Sequence, residues 1–134
     1  MIPIIVLSAP KASAVTCYGD NCSGKDPQSS GCANDAYTAT AANTASFSLQ
    51  VRYSPTCKTN WTRLVMYTPG PIKCSRNGMM KAIQDTGYTQ QAYFESYCAN
   101  ISITRWTPMI YSPVRLVKGT FTDQNGTVTS TGWA

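Results

Sequence analysis

Six cysteines in a chain without histidine constrain this protein more than any other feature of its sequence. An even number of cysteines in a chain of 134 residues is typical of exported domains, whose disulfides persist in oxidising compartments. The lack of histidine removes the side chain that most often serves as a neutral-pH base or metal ligand. The sequence therefore predicts a disulfide-stabilised protein that works outside a reducing cytoplasm.

The cysteine spacing favours three short-range pairs, although six cysteines allow many connectivities. Cys17–Cys22 would close a short turn, and Cys32–Cys57 would tie the N-terminal loop to the end of a strand. Cys74–Cys98 would clip the base of the central segment. Structural zinc is the alternative, but zinc sites favour closer cysteine pairs, usually with histidine, and only one Cys-x4-Cys spacing occurs. We expect disulfides, no metal and no cofactor.

The N-terminus carries an apolar run, Ile2–Pro10, followed by the small-x-small pattern Ala12-Ser13-Ala14 that signal peptidases cut. We predict that residues 1–14 are a signal peptide remnant and that residues 15–134 form one secreted or surface-associated domain. The alternative is an apolar strand that stays in the fold. The run is too short to span a bilayer, and no other segment approaches that length, so we expect no transmembrane segment.

Strand-like alternation recurs along the chain, whereas helical periodicity is hard to find. Residues 47–53 place Phe47, Leu49, Val51 and Tyr53 on one face. A hairpin is expected around Asp85-Thr86-Gly87, and another at the Asn-Gly dipeptide in residues 123–126. Other predicted strands cover residues 36–41, 60–67, 101–106 and 114–118, and the first of these could instead form a short helix, because alanine favours helices. About seven short strands predict an all-β fold, an antiparallel β-sandwich or small barrel.

Two sequence signals bear on function. The formal net charge is +5, but the basic residues form no run and no nucleic-acid motif accompanies them, so we expect no nucleic-acid partner. A Ser-His-Asp triad is excluded without histidine, and carboxylate pairs such as Glu95 with Asp85 or Asp123 are arbitrary. We therefore expect a protein that is not an enzyme.

Aromatic residues give the stronger functional hint. The chain has eight tyrosines and three tryptophans, and a few of them fall outside the expected core pattern. The candidate ligand-binding residues are Tyr88, Tyr93, Tyr97 and Trp106. The alternative is that these rings fill a core that is short of leucine and isoleucine.

Several spaced motifs resemble the YjfA-like bacterial domain of unknown function. Residues 17–27 read Cys-Tyr-Gly-Asp-Asn-Cys-Ser-Gly-Lys-Asp-Pro, residues 32–36 read Cys-Ala-Asn-Asp-Ala, and residues 52–61 read Arg-Tyr-Ser-Pro-Thr-Cys-Lys-Thr-Asn-Trp. The resemblance implies a secreted or surface-exposed domain of Gram-positive-type bacteria, with no known reaction and no assigned catalytic residue. Many relatives have a cysteine pair near the positions of Gly119 and Ser130, which this chain lacks. The third bridge therefore stays open at this point.

These observations lead us to expect a secreted, non-catalytic domain that binds the cell envelope. The partner would be wall polysaccharide, teichoic acid or an envelope protein, met by a mildly basic face that carries aromatic rings. The alternative is a structural or self-assembling extracellular protein whose exposed strand edges join neighbouring subunits into an oligomer.

Overall fold

The computed structural model describes residues 14–134. The predicted leader lies outside the described residues apart from Ala14, so its cleavage and the boundary of the domain stay predictions. Two 3-10 helices, Gly19–Cys22 and Cys32–Asp35, precede the strands. The strands are β1 (Tyr37–Asn43), β2 (Phe47–Ser54), β3 (Thr59–Met66), β4 (Gly78–Gln84), β5 (Thr89–Phe94), β6 (Ile103–Trp106), β7 (Ile110–Tyr111), β8 (Val117–Asp123) and β9 (Val128–Ser130).

The strands form two antiparallel sheets that pack face to face. The first sheet has the order β1-β2-β3-β6, with β7 pairing to the other end of β3. The second has the order β5-β4-β8-β9. The described part of the chain contains no α-helix. The predicted all-β sandwich is thus confirmed, with nine strands where about seven were expected.

The core between the sheets follows from the period-2 alternation of the strands. Phe47 and Leu49 of β2 meet Met80 of β4 and Phe121 of β8, and all four side chains are buried. Phe47 and Phe121 pack edge to face, with ring centroids 5.4 Å apart. The predicted inward face of β2 is confirmed for Phe47, Leu49 and Val51, which are buried. Tyr53, the fourth residue of that face, is only partly buried and lines a surface cavity.

Gly119 sets how closely the sheets approach at the middle of the sandwich. A Cβ at this position would lie 2.8 Å from Thr62 Oγ1 on the facing sheet. The Thr62 hydroxyl donates a hydrogen bond to the Lys81 carbonyl oxygen at 2.9 Å. A side chain at residue 119 would therefore displace a polar contact between the sheets.

Not every predicted strand is correct. The two hairpins are confirmed: β4 pairs with β5 around residues 85–88, and β8 pairs with β9 around Gly126, which has the positive φ of 80° that this turn requires. The strand predicted at residues 114–118 is wrong. Val114 is 87% exposed and unpaired, and the real strand begins at Val117 and continues to Asp123.

Three disulfides join Cys17 to Cys22, Cys32 to Cys57 and Cys74 to Cys98. These are the three pairs that the spacing favours. No helix among the described residues is both long and apolar enough to span a membrane. The three disulfides are consistent with an extracellular protein.

Candidate functional site

The N-terminal residues 15–36, here called the cap, cover the outer face of the first sheet. The cap packs on Trp61 of β3. Trp61 points away from the sandwich core, because Leu64, three residues further along the strand, points into it and residues an odd number of positions apart face opposite sides. Trp61 is 2% exposed and contacts a buried cluster of sulfur-containing side chains. That cluster consists of Cys17, Cys22, Cys32, Cys57 and Met109.

Polar contacts hold the cap in place beside these bridges. Asp35 accepts hydrogen bonds from the Ser54 hydroxyl at 2.7 Å and from the Thr56 backbone N–H at 2.9 Å. Burial acts to raise the pKa of Asp35, but these hydrogen bonds outweigh it, and its pKa lies below its usual value. The carboxylate therefore locks the second 3-10 helix to the turn between β2 and β3.

Next to the cap, arginine and tryptophan alternate across strands of the outer face. Arg52 of β2 is paired in register with Trp61 of β3, and Arg63 of β3 is paired with Trp106 of β6. Arg52 and Arg63 are diagonal neighbours, because Arg63 pairs with Gln50, two residues before Arg52. We call these four residues, Arg52, Trp61, Arg63 and Trp106, the Arg–Trp site.

The two guanidinium groups have only neutral partners. Arg52 donates to Thr38 Oγ1 at 2.8 Å and to the Ala36 carbonyl oxygen at 2.9 Å, and Arg63 donates to Gln50 Oε1 at 2.8 Å. No carboxylate within residues 14–134 forms an ion pair with either arginine. Both side chains are nevertheless partly buried.

The electrostatics of the Arg–Trp site favour an anion. Burial lowers the pKa of Arg52, and the neighbouring Arg63 guanidinium lowers it further. Burial also lowers the pKa of Arg63. Each shift means that the charged form is less favourable here than in water, because desolvation and like-charge repulsion are not offset by an acidic partner. A bound phosphate or carboxylate would supply that partner.

Trp106 is fixed at the rim of the site by Asp26. Its indole Nε1 donates to Asp26 Oδ1 at 2.7 Å, while Asp26 Oδ2 accepts from the Ser29 backbone N–H at 2.7 Å. Burial acts to raise the pKa of Asp26, but the bonds from Ser29 and Trp106 prevail and lower it. The turn at Asp26-Pro27 in the cap thus orients the indole ring of Trp106.

Cap and sheet together enclose a cavity of about 120 Å³ at this place. A cavity of this volume holds several waters and therefore has room for a phosphate or carboxylate group. The side chains of the site and parts of the cap surround it. Its lining comprises Pro27, Gln28, Ala33, Arg52, Trp61, Arg63, Thr104 and Trp106.

The four aromatic residues predicted as ligand contacts do not share one site and are divided among three cavities. Trp106 lies in the Arg–Trp site, whereas Tyr93 and Tyr97 line a separate cavity of about 290 Å³ beside Arg105. Tyr88 lines a third cavity at the opposite end of β5. Tyr97 is also packed against the core, and its hydroxyl lies 2.9 Å from the Ile101 carbonyl oxygen.

Neither arginine is predicted from the sequence, because the basic residues are scattered along the chain and form no run. The signal that could have found them is the strand register: residues 52 and 63 meet once the turn at Pro55 pairs β2 with β3. A fourth cavity, of about 320 Å³, is also not predicted from the sequence. It is lined by Tyr37 and Tyr53, whose rings pack edge to face at 5.8 Å.

The carboxylates considered for acid–base chemistry lie around the second sheet. Asp85 follows β4 and Glu95 follows β5, at opposite ends of that hairpin. Glu95 and Asp123 lie at the same end of the sheet, because Phe94 and Asp123 both pair with Gly78. Asp123 is bound to Arg76 at 3.1 Å and accepts backbone hydrogen bonds from Asn125 and Thr127. Asp123 therefore has a structural role, and the Arg–Trp site is the candidate that combines two guanidinium groups without acidic partners, aromatic surface and a cavity.

Comparison with known protein families matches residues 20–116 to the family described as "Protein of unknown function (DUF2690)". The match begins within the first 3-10 helix and ends just before β8, so it includes the Arg–Trp site. The chain belongs to this family. No curated protein and no solved structure matched the chain.

Proposed function

We propose that this DUF2690 protein is a secreted, non-catalytic domain that binds an anionic polymer of the bacterial envelope, either teichoic acid or wall glycan bearing acidic groups. The Arg–Trp site carries this proposal, because it holds two partly buried guanidinium groups that lack acidic partners. Guanidinium groups recognise phosphate and carboxylate oxygens through paired hydrogen bonds. A ring such as that of Trp106 offers an apolar face to the adjoining sugar or polyol.

The size of the cavity supports binding of one charged group at a time. A volume of about 120 Å³ accommodates a phosphate or carboxylate, and the polymer would continue across the exposed surface. Mild basicity of the whole chain, with a net charge of +5, would increase the rate of encounter with an anionic wall. Charge supplies the attraction and the Arg–Trp site supplies the selectivity.

Co-sedimentation of the oxidised protein with purified cell-wall sacculi tests the proposal, with and without teichoic acid, across a salt series. The double variant Arg52→Gln/Arg63→Gln should lose most binding. Lys73→Gln/Arg115→Gln is the matched control, because it removes the same charge at two exposed positions outside the site. Equal losses in the two variants would reduce the binding to nonspecific charge attraction.

A charge-preserving variant sharpens this test. Arg52→Lys/Arg63→Lys keeps the net charge but replaces each planar fork with a point charge. We expect it to bind about tenfold more weakly than the wild type, because paired hydrogen bonds to one group are lost. Wild-type binding by this variant, or no sedimentation of the wild-type protein at any salt concentration, would contradict the proposal.

Self-assembly is a second candidate, favoured by the edge strand β5. β5 pairs with β4 along one side only, and its sequence Thr-Gln-Gln-Ala-Tyr-Phe contains no charge and no proline. Its register with β4 is regular, without a bulge. Sheet edges usually carry charges, prolines or bulges that prevent pairing with other chains, so this edge is open to a second copy.

A further inference from the structure

The four sulfur atoms of the two disulfides at the cap lie close enough together to act as one set of ligands. Sγ atoms of Cys17, Cys22, Cys32 and Cys57 all lie within 4.8 Å of one another, although they belong to two separate disulfides. Sγ of Cys17 is 3.8 Å from Sγ of Cys32, across the two bridges. The third bridge, Cys74–Cys98, is not part of this group.

We propose that these four cysteines form a tetrahedral zinc site when both bridges are reduced. Four thiolates at about 2.3 Å from zinc lie about 3.8 Å from one another in a tetrahedron. The contact between Cys17 and Cys32 already has that length. The bonded sulfur pairs must separate, and the remaining pairs across the two bridges, all within 4.8 Å, must shift by no more than about 1 Å. The bonded cysteines have Cα atoms 5.1 and 5.8 Å apart and lie in or beside the 3-10 helices of the cap and in the turn between β2 and β3.

The surroundings suit a closed metal site. All four cysteines are at most 4% exposed, and Trp61 and Met109 cover the cluster. A zinc tetrathiolate carries two negative charges. Trp61 and Ala33 pack against the sulfurs and also line the cavity of Arg52 and Arg63, so two unneutralised cations lie on the other side of these residues. Their field would stabilise thiolates.

The chemistry balances without any group from the protein other than the cysteines. A small dithiol or a phosphine gives two electrons to each bridge, and with four protons the two disulfides become four thiols. Zinc then replaces the four thiol protons, which are released to solvent, and forms four Zn–S bonds. Oxidation of the thiolates by two two-electron oxidants restores both disulfides and expels zinc.

The consequence is a cap with two folded forms. Disulfides hold it where the surroundings are oxidising, and zinc would hold it where thiols persist, for example before export. This inference goes beyond the proposed function and does not depend on it. The Arg–Trp site would be present in both forms, because both keep the cap on β3.

Metal titration of the anaerobically reduced full-length chain tests the proposal, with cobalt(II) as a spectroscopic probe and zinc as its competitor. We expect one equivalent of metal, the visible absorption of tetrahedral tetrathiolate cobalt, and recovery of the near-ultraviolet circular dichroism of the tryptophans. The variant Cys74→Ser/Cys98→Ser should bind with unchanged affinity. Cys22→Ser and Cys57→Ser should each bind at least about a hundredfold more weakly, because one of four ligands is missing.

The matched cysteine variants keep the result interpretable even where reduction loosens the fold. An unfolded chain would bind metal through any of its six thiols, so loss of affinity in Cys74→Ser/Cys98→Ser would overturn the proposal. Absence of stoichiometric binding by the reduced wild type would also overturn it, as would binding by Cys22→Ser that equals the wild type.

Discussion

Between the two sheets, the core is built from aromatic and aliphatic side chains such as Phe47, Leu64 and Phe121, whereas the cap outside the first sheet is built from sulfur, short 3-10 turns and polar contacts. The sandwich core is stabilised by burial of apolar surface along paired strands. The cap has no strand of its own and is held by covalent bridges, by the hydrogen bonds of Asp35 and Asp26, and by backbone hydrogen bonds to Met109. The candidate binding site lies where the cap meets the sheet, so the less regular region carries the proposed function.

Two large-to-small substitutions separate these regions, and they carry the largest expected effects. Phe121→Ala in the sandwich core and Trp61→Ala under the cap should each lower the free energy of unfolding by about 3–5 kcal/mol, because each leaves a cavity. Denaturant unfolding measures both losses. Wall binding by the folded protein should persist in Phe121→Ala and fall in Trp61→Ala. Unchanged stability of Trp61→Ala would mean that the cap does not pack on this ring.

Removal of single bridges gives the next largest effect and compares the two regions at nearly constant loop length. Cys32–Cys57 and Cys74–Cys98 close loops of almost equal size, with sequence separations of 25 and 24. Chain entropy alone predicts the same loss, about 3 kcal/mol, for Cys32→Ala/Cys57→Ala and Cys74→Ala/Cys98→Ala.

The cap variant is Cys32→Ala/Cys57→Ala. Any further loss of unfolding free energy in this variant measures the packing of its disulfide against Trp61 and the Cys17–Cys22 disulfide. We expect the cap variant to be the less stable of the two in thermal unfolding under oxidising conditions. Equal melting temperatures would show that the cap bridge acts by chain entropy alone. A more stable cap variant would contradict the comparison.

The sandwich was more predictable from sequence than the site, for a physical reason. Alternation along β2 is local, and it identifies the core face without knowledge of the partner strand. The prediction failed at residues 114–116, where Val114 and Leu116 flank Arg115 but are exposed. An alternating pattern forms a strand only when another strand pairs with it. β7, with two residues, is too short to show a period.

The Arg–Trp site needed information that the linear sequence does not contain. Arg52 and Arg63 become neighbours through the register of β2 with β3, and Trp106 joins them from a strand more than forty residues away. Trp61 lies in the same buried cluster as Cys32 and Cys57. Trp61 also lies between the disulfides and the two arginines, and this position could not be predicted without knowing where the cap packs.

Asp35 gives a smaller, pH-dependent effect that is specific to the cap. Its hydrogen bonds lower its pKa below the usual value of 3.8 in the folded state, so the folded state favours the carboxylate. The stabilisation is therefore present above that usual pKa and is lost as the pH falls through the lower, folded value. Asp35→Ala should cost about 1–2 kcal/mol at neutral pH, because three hydrogen bonds are removed.

Unfolding measured from neutral pH down to about pH 2 checks the sign of this effect. The stability difference between wild type and Asp35→Ala should shrink as the solution becomes more acidic. Asp85→Ala is a suitable comparison, since that carboxylate has one long hydrogen bond, at 3.4 Å to the Leu116 N–H, and lies away from the cap. A difference for Asp35→Ala that grows at low pH would contradict the assignment.

The smallest expected effect on stability concerns the edge of the sandwich, where β5 is open to a second copy of the chain. Gln91 lies on the exposed face of β5 and is paired in register with Lys81 of β4. Gln91→Glu places opposite charges across the pair and should change the free energy of unfolding by less than about 1 kcal/mol, whereas Gln91→Lys places like charges there and should be slightly destabilising. Either charge should hinder edge-to-edge pairing. Sedimentation velocity across a concentration series measures this association. If β5 joins neighbouring copies, the wild type should associate more than both variants. Monomeric behaviour of all three proteins would mean that this edge has no role in assembly, and the Arg–Trp site would then remain as the proposed functional surface.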